Sequence, residues 1–216
     1  MKLGIYGAGS LGKKIYDVAL RINENEHRWD EILFIDDVRQ EKEYYLGRVI
    51  KIDEAKTFGT DIETVVGLGT PKHRRNMAAK LRENDISLTN IIDPTVIISP
   101  TAKINTGVII LPYSSVASDA VIEENVLVQP YIHVAHDVTI GANSVLSANV
   151  AVGGNVHLED DCYVGMGAVI REEVTIESRS IVGMGAVVLK NVDSDSVMVG
   201  NPARVIRRNE TGDVFK

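Results

Sequence analysis

His136 and Asp137 are adjacent residues whose side chains together could take a proton from a substrate. Histidine accepts protons near neutral pH, and a neighbouring carboxylate can fix its tautomer and increase its basicity. Gly154 follows 18 residues later, and a glycine leaves room for a thin substrate while its N–H can donate to an oxyanion. A surface histidine without a chemical role is the alternative interpretation of His136. The choice depends on whether the fold places Gly154 beside it.

A glycine-rich turn near the N-terminus could bind phosphate. It reads Gly7-Ala8-Gly9-Ser10-Leu11-Gly12 and joins an apolar strand, residues 2–7, to a helical stretch that extends to about residue 23. Glycines let the backbone approach an anion, and the helix N-terminus offers free N–H groups and a positive dipole end. Asp36 follows 24 residues after Gly12, near the spacing of a carboxylate that binds a ribose hydroxyl. The turn predicts a nucleotide site; a turn that only packs helix on strand is the alternative.

The element that must position His136 is a six-residue repeat. Sixteen aliphatic residues recur at every sixth position: Ile98, Ile104, Ile110, Val116, Ile122, Val128, Val134, Ile140, Leu146, Val152, Leu158, Val164, Ile170, Ile176, Val182 and Val188. A second column, two residues earlier in each repeat, is small or β-branched, so both columns share the inward face of a strand. Residues 164–169 recur unchanged at 182–187, so three hexapeptides form one coil of a parallel β-helix. Residues 18 apart then stack about 4.8 Å apart, which places Gly154 next to His136.

The other histidines and the single cysteine offer different chemistries. A zinc ion bound by three histidines, as in a β-helix carbonic anhydrase, would need His133, His136 and His157 as ligands. An 18-residue coil would have to be distorted to bring these three side chains together. His133 and His157 each precede an inward residue, so both should point outward. Cys162 occupies an inward position, where a thiol is usually inert packing. We therefore expect no metal and no covalent intermediate.

The first 92 residues read as a small α/β unit. Further strands are predicted at residues 32–35, 49–52 and 65–69, and a helix from Pro71, a residue suited to the first helical turn, to residue 84. A complete dinucleotide fold uses two mononucleotide-binding halves, for which about 90 residues are too few. The sequence therefore predicts a Rossmann-like half domain that binds one nucleotide in residues 1–92, and a β-helix in residues 93–216.

Composition indicates which partners and which cellular compartment the protein has. The net charge is −7 and acidic and basic residues are interspersed, which argues against nucleic-acid binding through phosphate contacts. Only one cysteine is present and the chain does not open with a signal sequence, which favours a reducing cytoplasm. Aliphatic runs stay far below the roughly 20 residues that span a bilayer. We expect a soluble, cytoplasmic protein with no membrane span.

Together these features resemble the PglD/NeuD family of bacterial sugar acetyltransferases, which modify nucleotide-linked amino sugars or sialic acid. The resemblance spans nearly the whole chain and rests on the glycine-rich unit, the repeats, and His136-Asp137 before Ile140-Gly141. Residues 199–204, Val-Gly-Asn-Pro-Ala-Arg, are similar to the closing segment of hexapeptide acyltransferases, which borders the CoA nucleotide. The resemblance implies a left-handed β-helix, acetyl-CoA as acyl donor, a nucleotide-linked amino sugar as acceptor, and a homotrimer with active sites between neighbouring chains.

The resemblance also implies roles for single residues. His136 would be the general base, Asp137 would raise its basicity, and the Gly154 N–H would bind the acetyl carbonyl oxygen. A histidine that family members can place nine residues after the base is Val145 here. The charged segment 37–61 would shape the acceptor pocket. The residues implied to contact acetyl-CoA are Gly154, Gly165, Met166, Gly183 and Met184, and those implied to contact the acceptor are Gly9, Ser10, Leu11, Asp36, Asp37 and Gly69.

The predicted function is N-acetylation of a nucleotide-linked sugar of the 4-amino-4,6-dideoxy type, with His136 as base. O-acetylation of a sugar or of sialic acid would use the same base, and the sequence does not separate an amine from an alcohol. A third interpretation is an NAD-binding or scaffold protein without acyl transfer. The small size of the first domain and the stacking of Gly154 on His136 favour acetyl transfer.

Overall fold

A computed structural model of the chain describes residues 1–214. The N-terminal part is a six-stranded sheet in the order β3-β4-β2-β1-β5-β6, in which only β3 and β4 are antiparallel neighbours. Its strands are β1 (Lys2–Tyr6), β2 (Glu31–Ile35), β3 (Glu43–Tyr44), β4 (Gly47–Ile50), β5 (Ile62–Val66) and β6 (Ser87–Leu88). Its helices are α1 (Ser10–Glu26), α2 (Ile52–Lys56) and α3 (Pro71–Glu83), with a 3₁₀ turn at Gly59–Asp61.

Several of these elements differ in extent from their predicted bounds. The strand predicted at 49–52 ends at Ile50, because Ile52 begins α2 and its N–H donates to the Asp37 carboxylate at 3.0 Å. The strand predicted at 65–69 is Ile62–Val66, and polar Thr64 is buried in it because its hydroxyl donates to the Ser87 carbonyl. The predicted start of α3 at Pro71 agrees with the structure.

The second part is a parallel β-helix of two-residue strands with three flat faces. In chain order these strands are β7 (Ile91–Ile92), β8 (Ile97–Ile98), β9 (Lys103–Ile104), β10 (Ile109–Ile110), β11 (Ser115–Val116), β12 (Val121–Ile122), β13 (Leu127–Val128), β14 (His133–Val134), β15 (Thr139–Ile140), β16 (Val145–Leu146), β17 (Ala151–Val152), β18 (His157–Leu158), β19 (Tyr163–Val164), β20 (Val169–Ile170), β21 (Thr175–Ile176), β22 (Ile181–Val182) and β23 (Val187–Val188). The fold class predicted from the sequence is confirmed.

Each face of the β-helix is one sheet, and each strand pairs with the strand 18 residues away. The first face carries β7, β10, β13, β16, β19 and β22; the second carries β8, β11, β14, β17, β20 and β23; the third carries β9, β12, β15, β18 and β21. The first corner joins the first face to the second, as at residues 111–114. The second corner joins the second face to the third, as at residues 135–138, and the third corner, as at 141–144, returns to the first face.

Both predicted inward columns fill the interior of the β-helix. From Val108 to Val188 their residues are at most 2 % exposed, and all of them except Ser114, Ser144 and Ser180 form one continuous apolar cluster, while the residues nearest the start of the coil are partly buried. At the corners the chain turns through residues in the left-handed conformation, most of which are Asn, Asp or Gly. These residue types tolerate positive φ, so each corner closes at little conformational cost.

Helix α1 is packed between the α/β sheet and the first face. Its apolar side joins one cluster with sheet residues such as Ile5 and with Ile109, Leu127 and Val145, which point outward from the first face. Helices α2 and α3 cover the opposite side of the sheet. Two further strands, β24 (Ser196–Val199) and β25 (Arg204–Arg208), extend the first face beyond β22. The α/β part therefore covers one face of the β-helix and leaves the second face free.

Candidate active site

An open cavity of about 340 Å³ lies where β1, β2 and β5 end at the same edge of the α/β sheet. In a parallel sheet the carboxyl ends of the strands are the usual place for a ligand. The wall of the cavity combines apolar, acidic and basic side chains. Its lining residues are Tyr6, Gly7, Asp36, Asp37, Val38, Leu68, Met77 and Lys80.

The glycine turn beside this cavity contains glycines with different functions. Gly9 is the N-cap of α1, and a Cβ added there would meet no atom within 4 Å. A Cβ added to Gly12 would lie 2.3 Å from the carbonyl oxygen of Gly7. Gly12 therefore permits the close packing of helix on strand, whereas Gly9 leaves open space at a helix N-terminus whose first turn contains no acidic residue. The packing interpretation therefore holds at Gly12, while a phosphate site at Gly9 stays a prediction for which the structure leaves room.

Asp36 orders the backbone around the glycine turn. Its Oδ2 accepts the Ala8 N–H at 3.1 Å, and its Oδ1 accepts the N–H groups of Val38 and Arg39 at 3.0 and 2.9 Å. Burial opposes ionisation, but these N–H donors hold the pKa of Asp36 below its usual value. The structure brings Asp36 next to the turn, as the spacing predicts, and shows its oxygens already bonded to backbone.

Asp37 lies at the centre of a second set of hydrogen bonds on the cavity wall. It accepts the Tyr6 hydroxyl at 2.5 Å, the Lys80 ammonium at 2.6 Å and the Ile52 N–H at 3.0 Å. Burial opposes ionisation of Asp37, but the Ile52 N–H, Lys80 and Tyr6 together lower its pKa. Burial, then the bond to Asp37, raises the pKa of Tyr6 to about 12. The wall therefore carries an ionised carboxylate that three hydrogen bonds hold in place.

Gly69, Ser10 and Leu11 complete the predicted acceptor set. Ser10 and Leu11 form the first turn of α1, whose early N–H groups have no partner within the helix. A Cβ on Gly69 would lie 4.0 Å from the Leu11 side chain, so the loop after β5 reaches the glycine turn. All six residues implied to contact the acceptor thus lie around one end of the sheet.

His136 lies at the second corner of the β-helix, on the coil that also carries Val134. Its Nδ1 is 2.8 Å from Asp137 Oδ2, and the two side chains are 58 % and 52 % exposed. With Nδ1 as donor to the carboxylate, Nε2 is the ring atom that can accept a proton. Asp137 has a φ of 57°, and its backbone N–H donates to the Ser118 carbonyl at 3.0 Å. The corner therefore fixes the carboxylate beside the ring.

Gly154 lies directly against the imidazole of His136. A Cβ added to Gly154 would be 2.7 Å from both Cε1 and Nε2 of the ring, so only glycine leaves this space free. The Gly154 carbonyl accepts the Glu173 N–H at 2.9 Å, whereas its own N–H has no hydrogen-bond partner within residues 1–214. An exposed imidazole thus lies in contact with a residue whose backbone N–H is unpaired among the described residues, which suits proton removal next to a developing oxyanion.

The other histidines and the cysteine lie apart from this corner. His133 is exposed on the second face with Nδ1 2.9 Å from the Ser115 hydroxyl, and His157 is exposed on the third face. Cys162 is buried, and burial raises the pKa of its thiol to about 12. Among the described residues no three His, Cys, Asp or Glu side chains are placed to hold a metal ion.

Two sequence families match this chain, one for each part of the structure. The PglD N-terminal domain matches residues 2–81, and the bacterial transferase hexapeptide family (six repeats) matches residues 119–154 and 155–190. The acetyltransferase domain of PglB from Neisseria gonorrhoeae superposes with a TM-score of 0.88 at 25% identity, over 95% of this chain and 99% of that domain. The chain belongs to the PglD-type hexapeptide-repeat acyltransferases.

Other solved structures share the complete fold of this PglD-type chain. Perosamine N-acetyltransferase from Caulobacter crescentus, in complex with CoA and GDP-perosamine, has a TM-score of 0.88 at 22% identity, over 96% of this chain and 97% of that one. WeeI from Acinetobacter baumannii has a TM-score of 0.67 at 22% identity, over 95% of this chain and 100% of that one. No curated protein shows significant sequence similarity to this chain.

The residues that the PglD/NeuD resemblance assigns to acetyl-CoA fall on two different corners. Gly165, Met166, Gly183 and Met184 lie at the first corner, where the two methionine side chains are exposed. A Cβ on Gly165 would be 2.6 Å from the Met184 nitrogen, so successive coils are in close contact there. Gly154 lies at the second corner with His136. Within one chain the structure does not bring these two groups together, because the second face separates them.

The cavity and His136 also lie on different sides of the β-helix. The α/β part is held against the first face by α1 and against the third corner by α3, whose Arg75 and Arg82 pair with Asp161 and Glu124. In a three-sided coil, the second corner is opposite the first face. His136 therefore points away from the side of the β-helix on which its own α/β part is packed.

Among the residues that sequence reasoning missed are Tyr6 and Lys80, which line the cavity, and Arg74, which is buried and donates to the Leu68 carbonyl. Tyr6 is the last residue of β1, and the rule that ligands bind at the carboxyl ends of parallel strands could have identified it. Lys80 and Arg74 belong to α3 in a run rich in charge, which reads as a solvated helix surface. No local pattern separates these two side chains from their exposed neighbours.

Proposed function

We propose that this PglD-type acyltransferase transfers an acetyl group from acetyl-CoA to the amino group of a nucleotide-linked amino sugar of the 4-amino-4,6-dideoxy type. The observation that carries the proposal is the contact of the His136 ring with Gly154, whose N–H has no hydrogen-bond partner within residues 1–214. The perosamine N-acetyltransferase of the same fold was solved with CoA and GDP-perosamine, which supports this class of donor and acceptor.

The proposed reaction is a direct transfer in a ternary complex. His136 Nε2 takes a proton as the acceptor nitrogen forms a bond to the acetyl carbonyl carbon. The negative charge that develops on the carbonyl oxygen is held by the Gly154 N–H. The C–S bond then breaks, the carbonyl re-forms, and the CoA thiolate can take the proton held by His136. Asp137 keeps Nδ1 protonated and stabilises the imidazolium that forms between these steps.

The active site proposed here needs two chains. We propose that the cavity at the carboxyl ends of β1, β2 and β5 binds the acceptor, and we call it the acceptor cavity. It lies on the opposite side of the β-helix from His136 of the same chain, so a sugar bound in it would reach His136 of a neighbouring chain. A homotrimer brings the sides of neighbouring β-helices together, and cyclic symmetry repeats the contact three times. In this arrangement residues 1–92 bind the acceptor, and residues 93–216 bind acetyl-CoA and supply the base.

The proposal places the reaction in the cytoplasm. The single cysteine is a buried thiol, which agrees with a reducing compartment. None of the helices within residues 1–214 has the length and apolar character that crossing a bilayer would require. Both substrates are charged and water-soluble, and both proposed binding regions are open to solvent.

A thiol-release assay tests the proposed reaction directly. Acetyl-CoA is supplied with a panel of UDP-, dTDP-, GDP- and CMP-linked 4-amino sugars, and each acceptor is matched by the analogue that carries a hydroxyl in place of the amine. The proposal predicts CoA release with one nucleotide series and only with its amine. Release with the hydroxyl analogue would instead establish O-acetylation. No release with any acceptor, together with tight NAD binding, would contradict acyl transfer altogether.

A further inference from the structure

Arg74 is a completely buried cation without a carboxylate partner. It lies in the first turns of α3, is 0 % exposed, and forms no ion pair with any residue in 1–214. Its guanidinium instead donates to four oxygen atoms. Nη1 reaches the carbonyls of Val66 and Leu68 at 2.7 and 3.0 Å, Nε reaches the Asn125 carbonyl at 2.8 Å, and Nη2 reaches Asn125 Oδ1 at 2.9 Å.

These four oxygens belong to two separate parts of the molecule. Val66 is the last residue of β5, and Leu68 lines the acceptor cavity. The Leu68 side chain also supports the glycine turn, since a Cβ on Gly7 would lie 2.9 Å from Leu68 Cδ2. Asn125 is a buried residue at the third corner of the β-helix, and its Nδ2 continues to Asn143 Oδ1 at 2.9 Å on the next coil. Arg74 thus joins the cavity wall to the β-helix.

A buried charge is costly unless its hydrogen-bonding groups are satisfied, and here only neutral acceptors satisfy them. Burial lowers the pKa of Arg74 to about 9, so the guanidinium remains charged at neutral pH. An apolar side chain could fill the space without that cost. Only the planar, five-donor guanidinium can hold a strand end, a loop and a corner at once.

Exposed ion pairs already attach α3 to the same corner of the β-helix. Arg75 bonds Asp161 and Arg82 bonds Glu124, each with an arginine side chain that is about half exposed. Such exposed pairs contribute little to stability. Neither arginine bonds to residues 66–70 in the structure. All three arginines therefore attach the α/β part to the β-helix, but of the three only Arg74 also bonds to the loop at residues 66–70.

We propose that Arg74 is a positioning residue that holds the loop at residues 66–70 in place on the β-helix, so that nucleotide affinity depends on a side chain that lines no part of the cavity. The link to nucleotide binding rests on the proposed function, whereas the effect on the loop does not. The conservative variant is Arg74→Lys, which keeps the positive charge but concentrates its donors on one atom. Arg75→Ala is the matched control, since it removes an adjacent arginine bonded to the same corner.

Hydrogen exchange of the ligand-free protein tests the effect on the loop. In Arg74→Lys, we expect the amides of residues 66–70 to exchange at least about tenfold faster than in the wild type. The inward β-helix residues around Val134 should exchange at the wild-type rate, and Arg75→Ala should leave the loop unchanged. If Arg74→Lys proves poorly folded, Asn125→Gly removes one of the four acceptors at a position where positive φ favours glycine, and should give a smaller change in the same direction. Wild-type exchange of residues 66–70 in both variants would overturn the proposal.

Calorimetric titration with UDP, dTDP, GDP and CMP tests the consequence for binding. For the nucleotide that binds the wild type most tightly, we expect Arg74→Lys to raise Kd at least about tenfold and to change the Kd of acetyl-CoA less than twofold. A lower Tm with an unchanged nucleotide Kd would show a purely structural role and overturn the proposal. If no nucleotide binds the wild type, the proposed function fails, and the exchange experiment alone decides the role of Arg74.

Discussion

The acceptor cavity and the His136 corner are organised in opposite ways. In the cavity, Asp36 and Asp37 each accept three hydrogen bonds, and the cavity wall is tied to the β-helix by a buried arginine. At the corner, the one hydrogen bond that the His136 side chain makes within residues 1–214 is to Asp137, and both side chains are more than half exposed. One chain holds every residue that we propose for the first site but leaves the second open, which is why we assign the missing surface to a neighbouring chain and the substrates.

Replacing His136 gives the largest expected effect, because our proposal assigns the proton transfer to its ring alone. We expect His136→Ala to lower kcat by about 10²- to 10⁴-fold, the usual contribution of general-base catalysis, with the KM for acetyl-CoA nearly unchanged. Steady-state thiol release measures both constants. His133→Ala, which removes an exposed histidine of the neighbouring strand, should keep wild-type kcat; equal losses in the two variants would refute the assignment of His136 as base.

In the acceptor cavity, the most informative changes are at two glycines of the same turn. Gly9 has an extended φ of −123° and open space, so Gly9→Val should fold normally while its side chain occupies the proposed phosphate position. We expect the acceptor KM to rise at least about tenfold, or about 1.4 kcal/mol. Gly12→Ala should instead cost about 1–3 kcal/mol of stability, because its Cβ meets the Gly7 carbonyl.

Thermal unfolding and acceptor kinetics of the two glycine variants separate these effects. A lower Tm in Gly9→Val with an unchanged acceptor KM would contradict a phosphate site at the turn. The same comparison shows why the turn could be predicted only in part from the sequence. The Gly-x-Gly-x-x-Gly spacing indicates the turn, but only the structure shows that Gly9 borders open space and that Gly12 packs against the Gly7 carbonyl.

Replacing Gly154 tests the contact at the His136 corner by adding one methyl group, and we expect a smaller loss of activity than in His136→Ala. We expect Gly154→Ala to lower kcat about 10- to 100-fold, because the added methyl displaces the imidazole while the backbone N–H is retained. The Tm should change little, since the methyl meets the end of an exposed side chain rather than backbone. Wild-type kcat in this variant would show that the stacking of ring on glycine has no part in catalysis.

The neighbours of His136 at the second corner could be predicted from the sequence because the β-helix is periodic. An 18-residue coil fixes which residues stack, so the position of Gly154 next to His136 and the burial of Cys162 both follow from counting. The α/β part has no such period. The pairing of Tyr6 and Lys80 with Asp37 and the burial of Arg74 depend on how strands and α3 meet in three dimensions, and residue spacing alone does not encode that.

The smallest expected effect concerns the stability of the acceptor cavity. The Ile52 N–H, Lys80 and Tyr6 outweigh burial and lower the pKa of Asp37, so its carboxylate stabilises the fold above the unfolded pKa of about 4 and loses this contribution as pH falls toward the folded pKa. Asp37→Asn should lower Tm by about 3–6 °C at pH 7. The difference from wild type should shrink below about pH 4; calorimetry that shows a pH-independent difference would contradict the role of the charge.

Mixed trimers test most directly the central claim that the acceptor cavity of one chain works with His136 of another. Chains with His136→Ala and chains with Gly9→Val carry different tags, are co-expressed, and are purified through both tags. Each mixed trimer then contains one complete site out of three, so we predict about one third of wild-type thiol release at subsaturating acceptor, against at most about one tenth for Gly9→Val alone and at most about one hundredth for His136→Ala alone. Mixed trimers no more active than the separate variants would contradict an active site shared between chains.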